Sequence, residues 1–293
     1  MKEQMEAVKR MQNYIQAHLF EEITPAALAK CALFSPWYAR KLFLRWTGVS
    51  PAEYARKLRL RASALRLRDE NARVLDVALD LGFQSVDGYQ RAFLREFGLS
   101  PKEYARSPVP IPLFTPYGVN YNRSERKETP MCNFRTVFVT RVTRPERKVI
   151  LKRGKKATEY MSYCEEVGCD VWGLLTSVKS VCGEPVCLWL PDQYVLPGTS
   201  VYVQGVEVAP DDPTPVPEGF DTLLLPACEY LLFQGEPFAE EDFEEAIQEI
   251  WNAEKKYDPT RIGLKWDGQN PRIQLEPVGS RGYMELMPVC PAQ

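Results

Sequence analysis

VLDVALDLGFQSVDGYQRAFLREFGLSPKEYAR, residues 74–106, repeats text that the chain has already used fifty residues earlier. Phe43-Leu44-Arg45 recurs as Phe93-Leu94-Arg95, Gly48 as Gly98, and Ser50-Pro51 as Ser100-Pro101. Glu53-Tyr54-Ala55-Arg56 recurs as Glu103-Tyr104-Ala105-Arg106, and Ser35 with Ser85 and Lys41 with Arg91 keep the same offset. So many coincidences at one period mark a duplicated structural unit. Each copy reads as two short helices around a turn. In the first, Thr24 caps a helix and Pro25 opens it, where a missing N–H costs nothing. Ser35-Pro36 repeats that start for the next helix. In the second copy residues 74–81 form the first helix and Gly82-Phe83 the turn, because glycine enters the left-handed region cheaply. Ser85 then caps the following helix.

Helical periodicity sorts the second helix of each unit into two faces. Ala39, Leu42, Phe43 and Trp46 fall on the i, i+3, i+4, i+7 stripe that packs inward. Trp37, Arg40, Lys41 and Leu44 lie opposite, with Arg45 beside them. In the second unit Tyr89, Phe93 and Phe97 point in and Val86, Asp87, Gln90, Arg91 and Leu94 point out. A helix that enters a major groove needs guanidinium, amide or apolar groups exposed near its N-terminus. A solvated face of a helical bundle carries similar residues, but the repeated spacing of cap, turn and helix favours double-stranded DNA as the partner. Between the copies, PAEYARKLRLRASALRLR (residues 51–68) is strongly helical. At 1.5 Å per residue it makes a strut of about 27 Å, close to the roughly 34 Å of one DNA turn. Its arginines are candidates for phosphate contacts, with simple solvation of part of that basic face as the alternative.

The charge is divided in the same way. Through Ser107 there are 18 Lys and Arg against 12 Asp and Glu; beyond it there are 19 against 27. The net charge of −2 is therefore a basic +6 part joined to an acidic −8 part, which suits one half that meets a polyanion and one that does not.

These residues carry a resemblance. The stretch from Val74 to Arg106 closely resembles the signature of the AraC/XylS family of transcription regulators, over about residues 5–107. The resemblance implies that the first recognition helix reads bases from Trp37, Arg40 and Lys41, and the second from Val86, Asp87, Gln90 and Arg91. Asp87 stands where well-studied members have a neutral amide. A carboxylate near phosphates is costly unless it accepts from cytosine N4 or pairs with a basic neighbour. The resemblance also implies RNA polymerase as a partner in activation.

After Arg106 the text changes. Five prolines between Pro108 and Pro130, in a stretch without periodicity, read as a linker over residues 108–130. Leu113, Phe114 and Tyr117 are its candidates for packing. From residue 131 the pattern is α+β: strands over 134–142 and 148–151, a helix over 157–167, and strands over 186–190 and 200–208. A strand over 221–234 follows, then a helix over 240–257 and strands over 272–276 and 282–288. Strand, helix, strands appears twice, which suggests two βαββ-like halves facing each other across a cleft.

LPACEYLLFQGEP (residues 225–237), the helix that carries Trp251, and the closing GYMELMPV (residues 282–289) resemble the GyrI-like effector-binding domain, over residues 131–289. The resemblance implies a cleft for aromatic, often cationic, small molecules, with a glutamate from the penultimate strand as counter-charge. Glu276 is the natural candidate; a register slip of two puts Gln274 there instead. Tyr163, Trp172, Trp189, Tyr202, Trp251 and Tyr283 are the aromatic candidates, each of which core packing would also explain. The organisation expected is therefore a multi-domain chain: an all-α tandem helix-turn-helix domain (1–107), the linker (108–130) and an α+β effector domain (131–293).

Other classes fit poorly. The single histidine, His18, lies in the first helix, so no Ser-His or Cys-His catalytic pair is available. The eight cysteines form no CxxC pair, so reduced, mostly buried thiols are expected, with no metal and no cofactor. No apolar run approaches the roughly 20 residues of a membrane span, and residues 1–10 are charged with no apolar stretch behind them. A cytoplasmic regulator that is not an enzyme is the expectation. The alternatives are a second domain that binds a protein partner over a flat surface, or one with residual small-molecule hydrolase activity.

Overall fold

The computed structural model describes residues 2–70, 72–116, 136–239 and 242–292. The chain divides into two compact units, Met1–Lys127 and Glu128–Gln293.

The first unit is helical: α1 (Lys2–Ala17), α2 (Pro25–Ala32), α3 (Pro36–Thr47), α4 (Pro51–Asp69), α5 (Val74–Asp80), α6 (Val86–Phe97) and α7 (Pro101–Arg106). The duplication is visible in its caps. Ser35 and Ser85 accept from the backbone N–H three residues on, and so do Ser50 and Ser100, the last within a reciprocal box with Glu103. Gly48 and Gly98 close α3 and α6 in the left-handed conformation, at φ 75° and 77°. The turn before each recognition helix differs. Phe34 N–H returns to Ala29 O, and Phe83 N–H to Ala78 O, so up to this point the offset is 49, not 50. Leu33 thus occupies the place of Gly82 and is held at φ 60°.

Two apolar cores share α4. Tyr54, Ala55 and Leu58 from its first half join Val8, Met11, Ile15, Leu42 and Phe43. Leu60, Ala64 and Leu67 from its second half join Val77, Tyr89, Phe93 and Tyr104. The stripe rotates along the helix, which lets one strut carry both reading units. Residues 108–116, expected as linker, are instead an arm laid across this strut. Ile111 and Leu113 are buried in the second core, and Phe114 packs edge-on against Tyr54 at 5.2 Å in the first. Two apolar side chains in a proline-rich text suffice to anchor it. Tyr117 and residues 118–130 lie outside the described residues.

The second unit contains β1 (Phe138–Arg144), β2 (Arg147–Arg153), α8 (Tyr160–Val167), α9 (Asp170–Ser177), β3 (Val186–Trp189), β4 (Tyr202–Val208), β5 (Asp221–Leu225), β6 (Cys228–Gln234), α10 (Phe243–Lys256), β7 (Leu264–Trp266), β8 (Arg272–Gln274) and β9 (Met284–Pro291). All pairings are antiparallel, in the order β1-β6-β9-β8-β3-β4-β2-β5, with β7 on β9. Exchanging β1 with β5, β2 with β6, β3 with β8 and β4 with β9 returns the same order reversed. The expected single strand over 221–234 is broken at Pro226, and β1 is parted from β2 at Pro145. Arg144 faces Cys228 and Arg147 faces Leu225, so Pro145-Glu146 opposite Pro226-Ala227 interrupts one continuous ladder. Proline has no N–H to give a ladder, and each strand tolerates it only at this break. The helix α9 and the short β7 were not anticipated; DVWGLLTS and LKW are too short for a period to show.

Alternation separates the two faces of the sheet. Val149, Leu151, Leu188, Val203, Tyr230, Ile273 and Leu286 form one core on the face away from the helices. On the other face α9 packs on Ile150 and Val206, and α10 on Leu231 and Phe233. Arg147 and Glu207 are both wholly buried and joined at 2.5 Å, with the Tyr230 hydroxyl accepting from Arg147 at 2.9 Å.

Candidate nucleic-acid interface and candidate cleft

The helix α3 starts at a serine cap followed by proline and packs Tyr38, Ala39, Leu42 and Phe43 on the bundle, which leaves its opposite face open. Trp37, Arg40, Lys41 and Arg45 are exposed there, and Trp37 keeps 71% of its surface. The Lys41 ammonium lies 5.1 Å from the centre of the Trp37 ring. On α6, Asp87, Gln90 and Arg91 are exposed and Val86 is half-buried against the second core. Residues 39–50 and 89–100 have the same sequence of buried and exposed positions, so the two faces are presented alike. Asp87 sits in the first turn of α6, where the helix dipole stabilises a carboxylate.

The strut behaves differently from expectation. Its basic side chains face their own unit: Arg56 and Lys57 pair with Glu96, the latter at 2.6 Å, and Arg59 donates to Leu19 O and Glu21 O. Arg61 donates to Phe114 O, Arg66 pairs with Glu70 and Asp80, and Arg68 with Asp69. Arg56 and Lys57 thereby tie the strut to α6, and the others are engaged within the same helical unit. Arg40, Lys41, Arg45 and Arg91, on the reading helices, are by contrast exposed and carry no ion pair with a described residue. Periodicity located α4, but it could not say which of its charges find acidic partners thirty or forty residues away.

The profile of the helix-turn-helix domain matches residues 28–107, which span both reading units. The regulatory protein SoxS of Salmonella typhimurium is 31% identical over 97 residues, which are 33% of this chain and 91% of that protein. The chain belongs to the AraC family of transcription regulators. It is a DNA-binding regulator. The right origin-binding protein of Escherichia coli strain K12 is 34% identical to this AraC-family regulator over 95 residues, 32% of this chain and 33% of that protein. A probable AraC family transcriptional regulator from Rhodopseudomonas palustris, of known structure, is 29% identical with a TM-score of 0.33, over 34% of this chain and 95% of that one.

In the second unit of this AraC-family regulator a cleft of about 330 Å³ opens on the helical side of the sheet. Trp189, Trp251, Trp266, Arg272, Glu254 and Met287 line it, with Thr158, Glu159 and Lys255 at its edges. Behind the lining residues Trp251 and Arg272 lies Glu285, wholly buried on β9. Glu285 accepts from Trp251 Nε1 at 2.9 Å, from the Tyr283 hydroxyl at 2.6 Å and from Arg272 Nε at 2.5 Å. Gly282 fixes where β9 begins: at φ +81° it brings the Gly235 carbonyl oxygen to 2.1 Å from where a Cβ would stand, so no other residue fits. From there, alternation turns Tyr283, Glu285 and Met287 toward the helices. Burial, and then the neighbouring Glu285 carboxylate, push the Glu254 carboxyl above the usual range against the pull of Arg272.

The anticipated aromatic residues divide into groups. Trp189 and Trp251 are half-buried and flank Arg272. Tyr202 is buried edge-on to both Trp189 and Tyr163, at 4.9 and 5.5 Å, and Tyr283 is buried on Glu285. Trp172 stands apart, donating to Glu276 at 3.3 Å. Glu276 lies beyond β8, its N–H held by Glu184, and it does not line the cleft. Gln274 is buried opposite Cys187 and Glu285. The carboxylates that hold Arg272 are therefore Glu285 and Glu254, and Glu159 is a third on the lining; none of them was anticipated. Glu285 was legible as a lone charge inside the apolar strand MELMPV, and only strand pairing shows which face it takes.

Proposed function

We propose that this regulator reads two neighbouring major-groove segments through α3 and α6 and that its second unit binds a small aromatic effector. The observation that carries the reading is the pair of matching exposed faces, Trp37, Arg40, Lys41 and Arg45 on one helix and Asp87, Gln90 and Arg91 on the other. They hang from one 19-residue helix, about 28 Å long, which is near the roughly 34 Å separation of successive grooves. Contact with RNA polymerase, and activation through it, belong to the same reading.

Support for an effector comes from the cleft. Its volume lies at the lower end of the range for small-molecule sites, about 300–1,000 Å³, and three tryptophans offer stacking surface. The palindromic strand order supports two related halves and a likeness to the GyrI-like domain.

A DNA site selected by the full chain from a randomised pool tests the proposal. On that site Arg40→Ala or Lys41→Ala should cost about 1–3 kcal/mol, and Arg91→Ala less because Asp87 stands beside the second reading face. Wild-type affinity in all three variants would refute the assignment. Effector binding is tested by screening the full chain with planar aromatic compounds in a thermal-shift assay. Hits should disappear in Trp251→Ala.

A further inference from the structure

The cleft already holds a cation of its own. The Arg272 guanidinium carbon lies 4.6 Å from the centre of the Trp189 ring and 5.6 Å from that of Trp251. Two of the three tryptophans on the lining thus already face a cation, and only Trp266 is left. The same guanidinium takes two carboxylates, Glu285 and Glu254, while the third, Glu159, caps α8. It donates to Glu285 through Nε, pairs with it through Nη2, and stands 3.3 Å from Glu254 Oε2. Its root is fixed as well, since Arg272 is paired with Trp189 across β8 and β3.

We propose that Arg272 is a tethered cation that sets the charge preference of the cleft, admitting neutral or anionic planar aromatics and excluding organic cations. This rests on reading the cleft as a ligand site. A cationic ligand either displaces a guanidinium that its own strand holds in place at high effective concentration, or stacks on Trp266 in the field of Arg272 and Lys255, both of its own sign. The displaced group would leave Glu285 and Glu254, and of the other charged side chains on the lining Lys255 repels it while the Glu159 carboxylate is already engaged by the Met161 and Ser162 N–H groups. A neutral aromatic meets no such competitor: it stacks on Trp266 and the outer edges of Trp189 and Trp251 and leaves the ion pair intact. An anionic one also finds Arg272 and Lys255 as donors. The expectation of a cationic effector therefore does not carry over to this chain.

Three compact probes of nearly equal shape decide the matter: N-methylquinolinium, 1-methylnaphthalene and 1-naphthoate, titrated into the full chain by calorimetry. Only binding that Trp251→Ala removes is counted. Wild type should bind N-methylquinolinium at least tenfold more weakly than 1-methylnaphthalene. Arg272→Ala should raise affinity for the cation at least tenfold while changing that for the neutral probe by less than threefold, and Arg272→Lys should keep the wild-type order. Arg272→Ala leaves two buried carboxylates without a cation. If it fails to fold, Arg272→Ala with Glu254→Gln keeps a single carboxylate and takes its place. Equal affinities of wild type for the cation and the neutral probe would overturn the proposal. So would a gain in Arg272→Ala shared equally by both, which would report only a larger cavity. If the neutral probe binds and the charge order is wrong, the cleft stands and the role of Arg272 falls. If no probe binds any variant, both fall.

Discussion

The arm over residues 108–116 turns a stretch of prolines into a structural element, and its removal has a calculable cost. Ile111 and Leu113 are buried in the core that holds α5, α6 and α7. Truncating a fully buried Leu or Ile to Ala costs about 2–5 kcal/mol, depending on how far the site collapses. For Leu113→Ala the lower half of that range, about 2–3 kcal/mol, is the expectation. A domain of this kind is stable by only about 5–15 kcal/mol in total. Full-length chain carrying Leu113→Ala is followed by hydrogen exchange with mass spectrometry, reading peptides from α5–α7. Since 1.4 kcal/mol is a factor of ten, the slowest amides there should lose about thirty- to hundredfold of their protection if they exchange through opening of this unit. The outward faces of α3 and α6 do not touch the arm, so DNA affinity at low temperature should be preserved. Protection unchanged within threefold would mean that residues 108–116 do not belong to the folded unit in solution.

Three further outcomes are expected. Leu33 is held in the left-handed region with 78% of its surface exposed, so Leu33→Gly removes a backbone strain of about 1 kcal/mol against a glycine entropy cost of similar size or less. Exchange protection of α2 and α3 should stay level or rise, and a tenfold fall would show that Leu33 packs. Glu254 has a folded-state pKa raised above its unfolded value, so the stability it allows is present below about 4.5 and is lost as pH rises through the raised value. Melting of the second unit between pH 5 and 9 should therefore fall with pH in wild type and flatten in Glu254→Gln; parallel curves would remove Glu254 from the account. Finally, log DNA affinity should fall linearly with log salt at about −0.9 per phosphate contact, and Arg59→Gln should leave that slope unchanged because its guanidinium is bound to Leu19 O and Glu21 O.

Sequence and structure agree most where the signal is local and repeated. Caps, turns and inward stripes of the helical unit were legible because a helix declares itself within a dozen residues and this one does so twice. The one-residue difference in the turn was hidden, since the most numerous identities lie after it and impose their own offset of fifty. In the second unit the main strands were legible from β-branched runs, but their partners were not. Glu276 and Glu285 look equivalent as carboxylates near the ends of apolar runs. What separates them is that Glu285 lies within β9, opposite Gln274 and Phe233, while Glu276 lies past the end of β8. That distinction depends on residues fifty to ninety positions away, and no window of text contains it. The strut arginines misled for the same reason: a basic face looks the same whether its counter-ions are phosphates or Glu96.

The ladder that runs through Pro145 and Pro226 has a consequence for how the second unit is made. Each half of the sheet takes its outermost strand from the other: β1 completes the edge beside β6, and β5 completes the edge beside β2. Between them the central contact joins Cys187 to Gln274, 87 positions apart. A chain emerging from synthesis can close the helical unit early, from contacts within a few dozen residues. The second unit has no comparable resting point, because its first strand waits for residues 228–234 and its centre waits for residues 272–274. Topologies dominated by such distant pairings fold slowly and expose unpaired edges meanwhile. The molecule should therefore exist for an interval as a DNA-binding part trailing an unclosed sheet, competent to meet DNA before its second unit has formed.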